Sequence, residues 1–177
     1  MANQKRFNEY LVENNIAKIR LKYKSEWLWA TIDFEDLQRL VDFGYRWYAR
    51  YDHHIKGFYA QCNVYDNSKH KVISLYQFIL NHFDGIQVDH INNDSLDNRK
   101  SNLRLASSSD NGKNRKNKNV NNKSGYRNVS TIKGQYVVQL QIDGKNTVLG
   151  KFDDVDIAGK FAEAMREKYY GEFAGNS

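Results

Sequence analysis

Proline is absent from this 177-residue chain, and cysteine occurs once, at Cys62. A single cysteine excludes an internal disulfide and any structural zinc site built from paired Cys-x-x-Cys units, and it favours a reducing compartment. Without proline, the turns must rely on glycine, asparagine and aspartate. The chain has no apolar run of signal-peptide length near its start and none long enough to cross a bilayer. These absences predict a soluble intracellular protein that does not associate with a membrane.

Positive charge is concentrated in one part of the sequence. The net charge is +6, and residues 99–123 carry eight basic side chains against one acidic one, Asp110. A positive stretch of this density favours a polyanionic partner such as nucleic acid. The alternative is a solvated linker, because charged segments with little apolar content often serve as one.

The hydrophobic pattern divides the chain into a strand-rich first part and a compact last part. Apolar and basic residues alternate from Ile16, which predicts a strand with one basic face, and aromatic strands follow. Residues 6–14 favour a short helix. Residues 112–124 hold almost no apolar side chain, as in a linker. We predict an α+β protein with a first region at 1–118, a polar linker at 119–124 and a last domain at 125–177.

The last domain predicts a three-stranded antiparallel sheet packed on one helix. Three strand patterns are separated by Lys133-Gly134 and Asp143-Gly144, dipeptides that favour tight hairpins. An apolar stripe from Ala158 to Tyr169 then indicates an amphipathic helix. Residues 125–152 carry four basic and one acidic side chain, whereas residues 153–177 carry three and six. The strand side should therefore attract phosphate and the helix side should repel it.

A polar segment near the middle of the chain, VDHINNDSLDNRKSNLRLASSSDN from Val88 to Asn111, carries the candidate catalytic residues. The His90 imidazole can act as a general base toward water. The Asp89 carboxylate and the Asn111 amide offer oxygen atoms that suit a hard divalent cation. This combination is typical of phosphodiester hydrolysis. The alternative is a surface loop in which the Asp-His pair is accidental and the asparagines form turns.

The same residues resemble the motif of HNH endonucleases, whose nuclease core has a ββα-metal fold. The resemblance implies that His90 is the general base and that Asp89 and Asn111 hold one divalent metal, Mg²⁺ with Mn²⁺ as an alternative. It also implies that Asn102 braces the loop. Tyr76 stands where members of the family often have histidine. The core would span about residues 72–118.

Residues 125–173, from GYRNVS to YYGEF, resemble the APETALA/ethylene-response-factor DNA-binding domain. In that family the exposed face of the sheet enters the major groove. The resemblance implies that four polar side chains contact DNA: Ser130, Gln139, Gln141 and Asn146. Together, the two resemblances match phage-type and homing-type HNH endonucleases that carry this appended domain, and they imply a bacterial or phage-infected cell.

We therefore predict a metal-dependent endonuclease that acts on double-stranded DNA and needs no obligate protein partner. By resemblance, the products would carry a 5′-phosphate and a 3′-hydroxyl. The alternative is a DNA-binding regulator whose nuclease core is inactive, and the set of Asp89, His90 and Asn111 favours the enzyme. The basic residues predicted to contact DNA are Arg99, Lys100, Arg104, Lys113, Arg115, Lys116, Lys118, Lys123, Arg127 and Lys133.

Overall fold

The computed structural model of the chain describes residues 7–66, 69–83, 87–107, 110, 113–114 and 121–175. Their fold is mixed α+β, as the sequence predicts. The chain divides into two compact units, residues 1–106 and 107–177, and each has its own apolar core. The predicted linker, residues 119–124, lies only partly within the described residues. None of the helices in the described ranges is both long and apolar enough to span a membrane.

A six-stranded sheet forms most of the first unit. Its strands are β1 (Tyr10–Glu13), β2 (Ile16–Tyr23), β3 (Glu26–Asp33), β4 (Trp47–Asp52), β5 (Gly57–Asp66) and β6 (Lys69–Ser74). Strand β2 pairs antiparallel with β1 and β3 and parallel with β4, and β5 lies antiparallel between β4 and β6. Alternate residues of β2, namely Ala17, Ile19 and Leu21, are fully buried. Cys62 of β5 lies in the same core, and its burial raises the pKa of the thiol to about 12.

Two helices add apolar side chains to this core. Helix α1 (Phe34–Phe43) contributes Leu37 and Leu40, and helix α2 (Leu75–Leu80) contributes Leu75 and Ile79. Helix α1 ends at Gly44, whose φ of 71° is a left-handed conformation that glycine adopts without steric cost. Helix α2 begins after a capping box between Ser74 and Gln77 and ends at Asn81. Both helices therefore pack on the side of the sheet that holds the buried residues of β2.

The helix predicted for residues 6–14 is wrong. Residues 10–13 form β1, and Asn14 and Asn15, with φ of 48° and 63°, turn the chain into β2. Two successive left-handed residues form the turn that joins tightly paired strands, and asparagine tolerates this conformation better than most residues. The side chain of Asn8 then ties the preceding segment to the sheet. It donates to the Arg20 and Trp47 carbonyls and accepts from the Trp47 N–H at 2.7–2.8 Å.

A two-stranded hairpin completes the first unit. Strands β7 (Gln87–His90) and β8 (Leu103–Ala106) pair antiparallel, and a 3₁₀ turn at Lys100–Asn102 precedes β8. The loop between them is fastened to β3, because the Thr31 N–H donates to the Leu96 carbonyl at 2.8 Å and the Thr31 carbonyl accepts from the Asn98 N–H at 2.7 Å. The large sheet therefore supports the loop that follows His90.

The described part of the second unit contains the predicted three-stranded antiparallel sheet and the predicted helix that follows it. Strands β9 (Val129–Ile132), β10 (Gln135–Ile142) and β11 (Lys145–Phe152) lie in the order β11-β10-β9, and helix α3 spans Val155–Tyr170. Both predicted hairpin dipeptides have positive φ. The Asp154 carboxylate accepts from the Asp156 and Ile157 N–H groups and caps α3. Val129 and Val138 pack against Ala158 and Ala162 to form the core.

Candidate active site

Asp89 and His90 are the last two residues of β7, where the hairpin strand gives way to the polar loop. In the register of the hairpin, Asp89 lies opposite Arg104 and His90 lies opposite Leu103. Successive side chains of a strand point to opposite faces. Within the hairpin the carboxylate and the imidazole thus lie on different faces, at the point where the strand ends.

The His90 ring is buried among aromatic side chains, with 7% of the residue exposed. The Tyr76 ring lies edge-on to it at 5.8 Å between centroids, and the Tyr59 ring lies at 6.3 Å. The Asn98 side chain, itself almost fully buried, hydrogen-bonds to His90. This packing fixes the orientation of the imidazole.

Burial lowers the pKa of His90 below its ordinary value of 6.5 because it disfavours the charged imidazolium. The hydrogen bond to Asn98 acts in the opposite direction, as do the charges of Asp89, Asp94 and Asp97, but burial prevails. The imidazole is therefore neutral at neutral pH. A neutral imidazole is the form that accepts a proton from water.

The Asp89 carboxylate is joined to Arg104. The guanidinium donates from Nε at 2.9 Å and from Nη2 at 2.7 Å, both to Oδ2 of Asp89. The two side chains are only 12% and 9% exposed. Charge-assisted bonds in such a partly dehydrated setting are stronger than on an open surface. A cation that binds Asp89 must therefore share the carboxylate with Arg104 or displace it.

Asn102 links the two ends of the loop. Its Oδ1 accepts from the Asn92 N–H at 2.9 Å, its Nδ2 donates to the Asp97 carbonyl at 2.7 Å, and its own carbonyl accepts from the Ile91 N–H at 2.9 Å. These contacts hold the residues that immediately follow His90.

A second set of contacts stabilises the far end of the loop. Burial raises the pKa of Asp97, but the hydrogen bonds and charge of Arg99, together with the Asn92 amide, hold that pKa below its usual value. The Arg99 Nη2 lies 2.6 Å from Asp97 Oδ2. Asp97 is thus a structural anion of the loop rather than an available acid or ligand.

The described part of the site fits a divalent metal in its donor chemistry, since the Asp89 carboxylate offers a hard oxygen ligand beside a neutral imidazole. Asn111, the other predicted ligand, lies outside the described residues. Among the residues that are described, no group of three or more His, Cys, Asp or Glu side chains is arranged to hold a metal ion.

Several cations predicted to contact DNA are held by acidic side chains. Lys100 lies 2.6 Å from Glu35 Oε1 and 3.0 Å from Asp36 Oδ2. In the second unit, Lys113 lies 2.9 Å from Asp110 Oδ1. Arg127 donates to the carbonyls of Lys113 and Ala174. Lys123 and Lys133 are exposed, and Arg115, Lys116 and Lys118 lie outside the described residues.

The four polar residues predicted to contact DNA from the second unit lie on one face of its sheet. Gln139 and Gln141 alternate with Val138 and Leu140, which are buried on the helix side. Gln141 is paired directly with Asn146, and Ser130 with Val137. The register thus brings Ser130, Gln139, Gln141 and Asn146 to the face opposite α3.

The comparisons with known proteins bear on the catalytic segment. A family model described as HNH endonuclease matches residues 84–113, a span that contains Asp89, His90, Asn102 and Asn111. The match supports an HNH domain in this part of the chain. No curated protein and no solved structure matches the chain.

Three residues around His90 were not predicted as part of the site: Tyr59, Tyr76 and Asn98. Tyr59 belongs to β5, and only the fold brings it to the hairpin. Tyr76 had a signal in the sequence, because it stands where HNH endonucleases often have histidine. Asn98 is eight residues after His90 in the loop and could have been found by asking which side chain orients the imidazole.

Proposed function

We propose that the chain is a metal-dependent endonuclease that hydrolyses phosphodiester bonds of double-stranded DNA. The observation that carries this proposal is the buried imidazole of His90, which is kept neutral next to Asp89 at the start of a braced loop. The match of residues 84–113 to HNH endonucleases supports it. Histidines with a shifted pKa are found preferentially at functional sites, which supports a catalytic role for His90.

In this mechanism His90 accepts the proton of the water that attacks phosphorus. Tyr59, Tyr76 and Asn98 orient its ring, and Asn102 holds the loop behind it. Asp89 and Asn111 would hold Mg²⁺ or Mn²⁺. The metal, when bound, supplies positive charge that stabilises the phosphate and the leaving oxygen. The products would carry a 5′-phosphate and a 3′-hydroxyl.

The rest of the chain would hold the substrate. Five exposed or half-exposed side chains of the second unit, Lys123, Ser130, Lys133, Gln141 and Asn146, offer cationic and amide groups to DNA. Cations contact phosphates and set the register, whereas amides can read base edges. Lys100 and Lys113 can join them by exchanging a carboxylate partner for a phosphate.

One observation favours a second candidate, a DNA-binding regulator with an inactive nuclease core. Arg104 already neutralises the Asp89 carboxylate, as it would in a site that never binds metal. Both functions require affinity for DNA, so binding alone does not separate them.

Cleavage of supercoiled plasmid separates the two candidates. The whole chain is incubated with plasmid in Mg²⁺, in Mn²⁺ and in EDTA, beside a His90→Ala control. The nuclease produces nicked or linear DNA only with metal and only with His90 intact. DNA binding without metal-dependent cleavage, under conditions where the protein is folded, would assign the chain to the regulator.

A further inference from the structure

The face of the large sheet opposite the buried core carries basic and aromatic side chains. In β2, Arg20 and Lys22 alternate with the buried Ile19 and Leu21 and therefore point the other way. Their direct partners in β3 are Trp29 and Trp27. In β4, Tyr48 pairs with Lys22, and Arg50 follows two residues later. These six residues form the open sheet face: Arg20, Lys22, Trp27, Trp29, Tyr48 and Arg50.

The two tryptophans of this face are exposed to an unusual degree. Trp27 is 45% and Trp29 39% exposed, whereas Trp47, the third tryptophan of the chain, is 1% exposed in the core. Helices α1 and α2 place their buried leucines in the core on the other side of the sheet. Exposed aromatic side chains in a cluster mark an interaction surface more often than a structural need.

The basic side chains of the open sheet face favour an anionic partner. Lys22 is exposed and forms no ion pair with any residue in the described part of the chain. Arg20 pairs with Glu9, and its guanidinium also lies 4.3 Å from the centre of the Trp27 ring. Arg46 joins Arg20, Trp27 and the acidic Glu9 around a cleft of about 340 Å³. Guanidinium groups bind phosphate, and an indole next to them can pack against the sugar or base that carries the phosphate.

A second acid, Asp52, lies in β4 two residues after Arg50. Its carboxylate accepts from the N–H groups of His54 and Ile55 in the next turn. These bonds, above all the one from His54, hold the pKa of Asp52 below its usual value. The charge of Arg50 lowers this pKa as well, but less than the bond from His54 does, and Arg50 remains exposed.

The open sheet face leads directly to His90. Arg50 is the cross-strand partner of Tyr59, and the Tyr59 ring lies 6.3 Å from the His90 ring. Directly paired residues are about 5 Å apart, and alternate residues of one strand are about 7 Å apart on the same face. Lys22, Tyr48, Arg50 and Tyr59 therefore form a continuous path to the imidazole. A DNA strand whose phosphodiester bond lies at His90 can place its neighbouring phosphates along this path.

We propose that the open sheet face binds the duplex DNA that flanks the scissile bond. Lys22, Arg50 and Arg20 contact backbone phosphates, and Trp27 and Trp29 pack against deoxyribose. The proposal rests on the proposed nuclease function for the position of the scissile bond. The first unit would then have a DNA-binding surface of its own, in addition to the one proposed for the second unit.

A double substitution tests this surface in the whole chain. Lys22→Glu/Arg50→Glu reverses two charges of the open sheet face, and Lys71→Glu is the matched control. Lys71 is an exposed residue of the same sheet, but it pairs with Val64 and points to the opposite side. Fluorescence anisotropy with a mixed-sequence duplex measures affinity as a function of salt, and hydrolysis of bis(p-nitrophenyl) phosphate measures the catalytic site without DNA.

The double variant should lose at least about tenfold in duplex affinity, and its salt slope should fall by about two, one for each lost phosphate contact. Hydrolysis of the small ester should stay at the wild-type rate, and Lys71→Glu should bind DNA almost normally. Equal affinity of the double variant and the wild type overturns the proposal, as does an equal loss in Lys71→Glu. If the wild type binds duplex through this face but cleaves nothing, the proposed nuclease function fails while this surface stands.

Tryptophan fluorescence tests the same surface without any substitution. Since Trp47 is buried, acrylamide quenches mainly Trp27 and Trp29. Saturating duplex should reduce this quenching in the wild type. Unchanged quenching in the complex contradicts the proposal. If the protein binds a single strand more tightly than the duplex, the proposal of duplex DNA is wrong and single-stranded DNA is the ligand of this surface.

Discussion

Arg104 and Asp89 face each other across the β7–β8 hairpin, and the guanidinium donates two hydrogen bonds to a single carboxylate oxygen. If Asp89 holds a metal as we propose, the metal would compete with Arg104 for this carboxylate. Arg104 stabilises the Asp89 carboxylate in the metal-free protein, and once displaced it could turn toward a phosphate.

Arg104→Met should increase the affinity of the site for Mn²⁺ and lower the stability of the metal-free protein. Loss of one member of a largely buried pair leaves an uncompensated carboxylate, which costs roughly 3 kcal/mol. Titration calorimetry measures the affinity, and thermal unfolding with and without Mn²⁺ measures the stability. The double variant Asp89→Asn/Arg104→Met removes both charges and should recover stability without gaining affinity. Unchanged metal affinity in Arg104→Met would show that the arginine does not compete.

His90→Ala should abolish plasmid cleavage and leave DNA affinity within a few-fold of wild type. In the wild type, cleavage should persist to a lower pH than an ordinary histidine allows, because burial lowers the pKa of His90 and the neutral form is the active one. The pH–rate profile at saturating metal measures this. A mutant that cuts at a near-normal rate would remove His90 from the role of base.

The same histidine should make the protein less stable in mild acid. Its pKa is 6.5 in the unfolded chain and lower in the folded one. Between these two values the unfolded state binds more protons, so stability falls as pH falls through this window. Urea unfolding of the wild type and of His90→Gln between pH 7 and pH 5 compares the slopes. The variant should lose less stability over this range, and parallel slopes would contradict the burial of His90.

Asp89→Ala and Asn111→Ala should both lose cleavage through loss of metal. Raised Mn²⁺ should partly restore Asn111→Ala but not Asp89→Ala, because a neutral amide contributes less to cation affinity than a carboxylate. Asn121→Ala, at an exposed position of the same unit as Asn111, is the matched control. Unchanged metal affinity in both variants would show that these residues are not the ligands.

Asn102→Asp should lower both stability and turnover. The substitution keeps the size and the oxygen that accepts from Asn92, but it replaces the Nδ2 donor to the Asp97 carbonyl with a second acceptor. A buried acceptor that loses its donor costs about 2 kcal/mol. Denaturant unfolding measures the loss, and plasmid cleavage should slow with little change in DNA affinity. Full activity at normal stability would contradict a bracing role.

Local patterns predicted much of the fold. The alternation in β2 and the two glycine-containing hairpins of the second unit are decided by residues close in the chain. The error at residues 6–14 has the same origin. A short segment with helical spacing became a strand because Asn14 and Asn15 turn it onto β2, and pairing with β2 outweighs a weak helical preference.

Interactions between distant residues could not be predicted in this way. Lys100 was predicted to contact DNA from its position in a basic stretch, yet its partners Glu35 and Asp36 lie 65 and 64 residues earlier in the chain. Tyr59 reaches His90 only through the pairing of β5 with β4 and the fastening of the loop to the sheet. The motif identified the chemistry of the site, and the tertiary fold determined its surroundings.

The buried thiol of Cys62 can be used to measure unfolding of the first unit. A thiol with a pKa of about 12 in a closed core does not react with aromatic disulfide reagents until the surrounding sheet opens. Because it is the one cysteine of the sequence, the rate at which the reagent is consumed counts openings of the first unit alone. Unfolding of the second unit, which has no cysteine, is not detected in such an assay. A cysteine introduced on its surface would label cleanly while Cys62 stays unmodified, which gives a dye attachment site for following DNA capture.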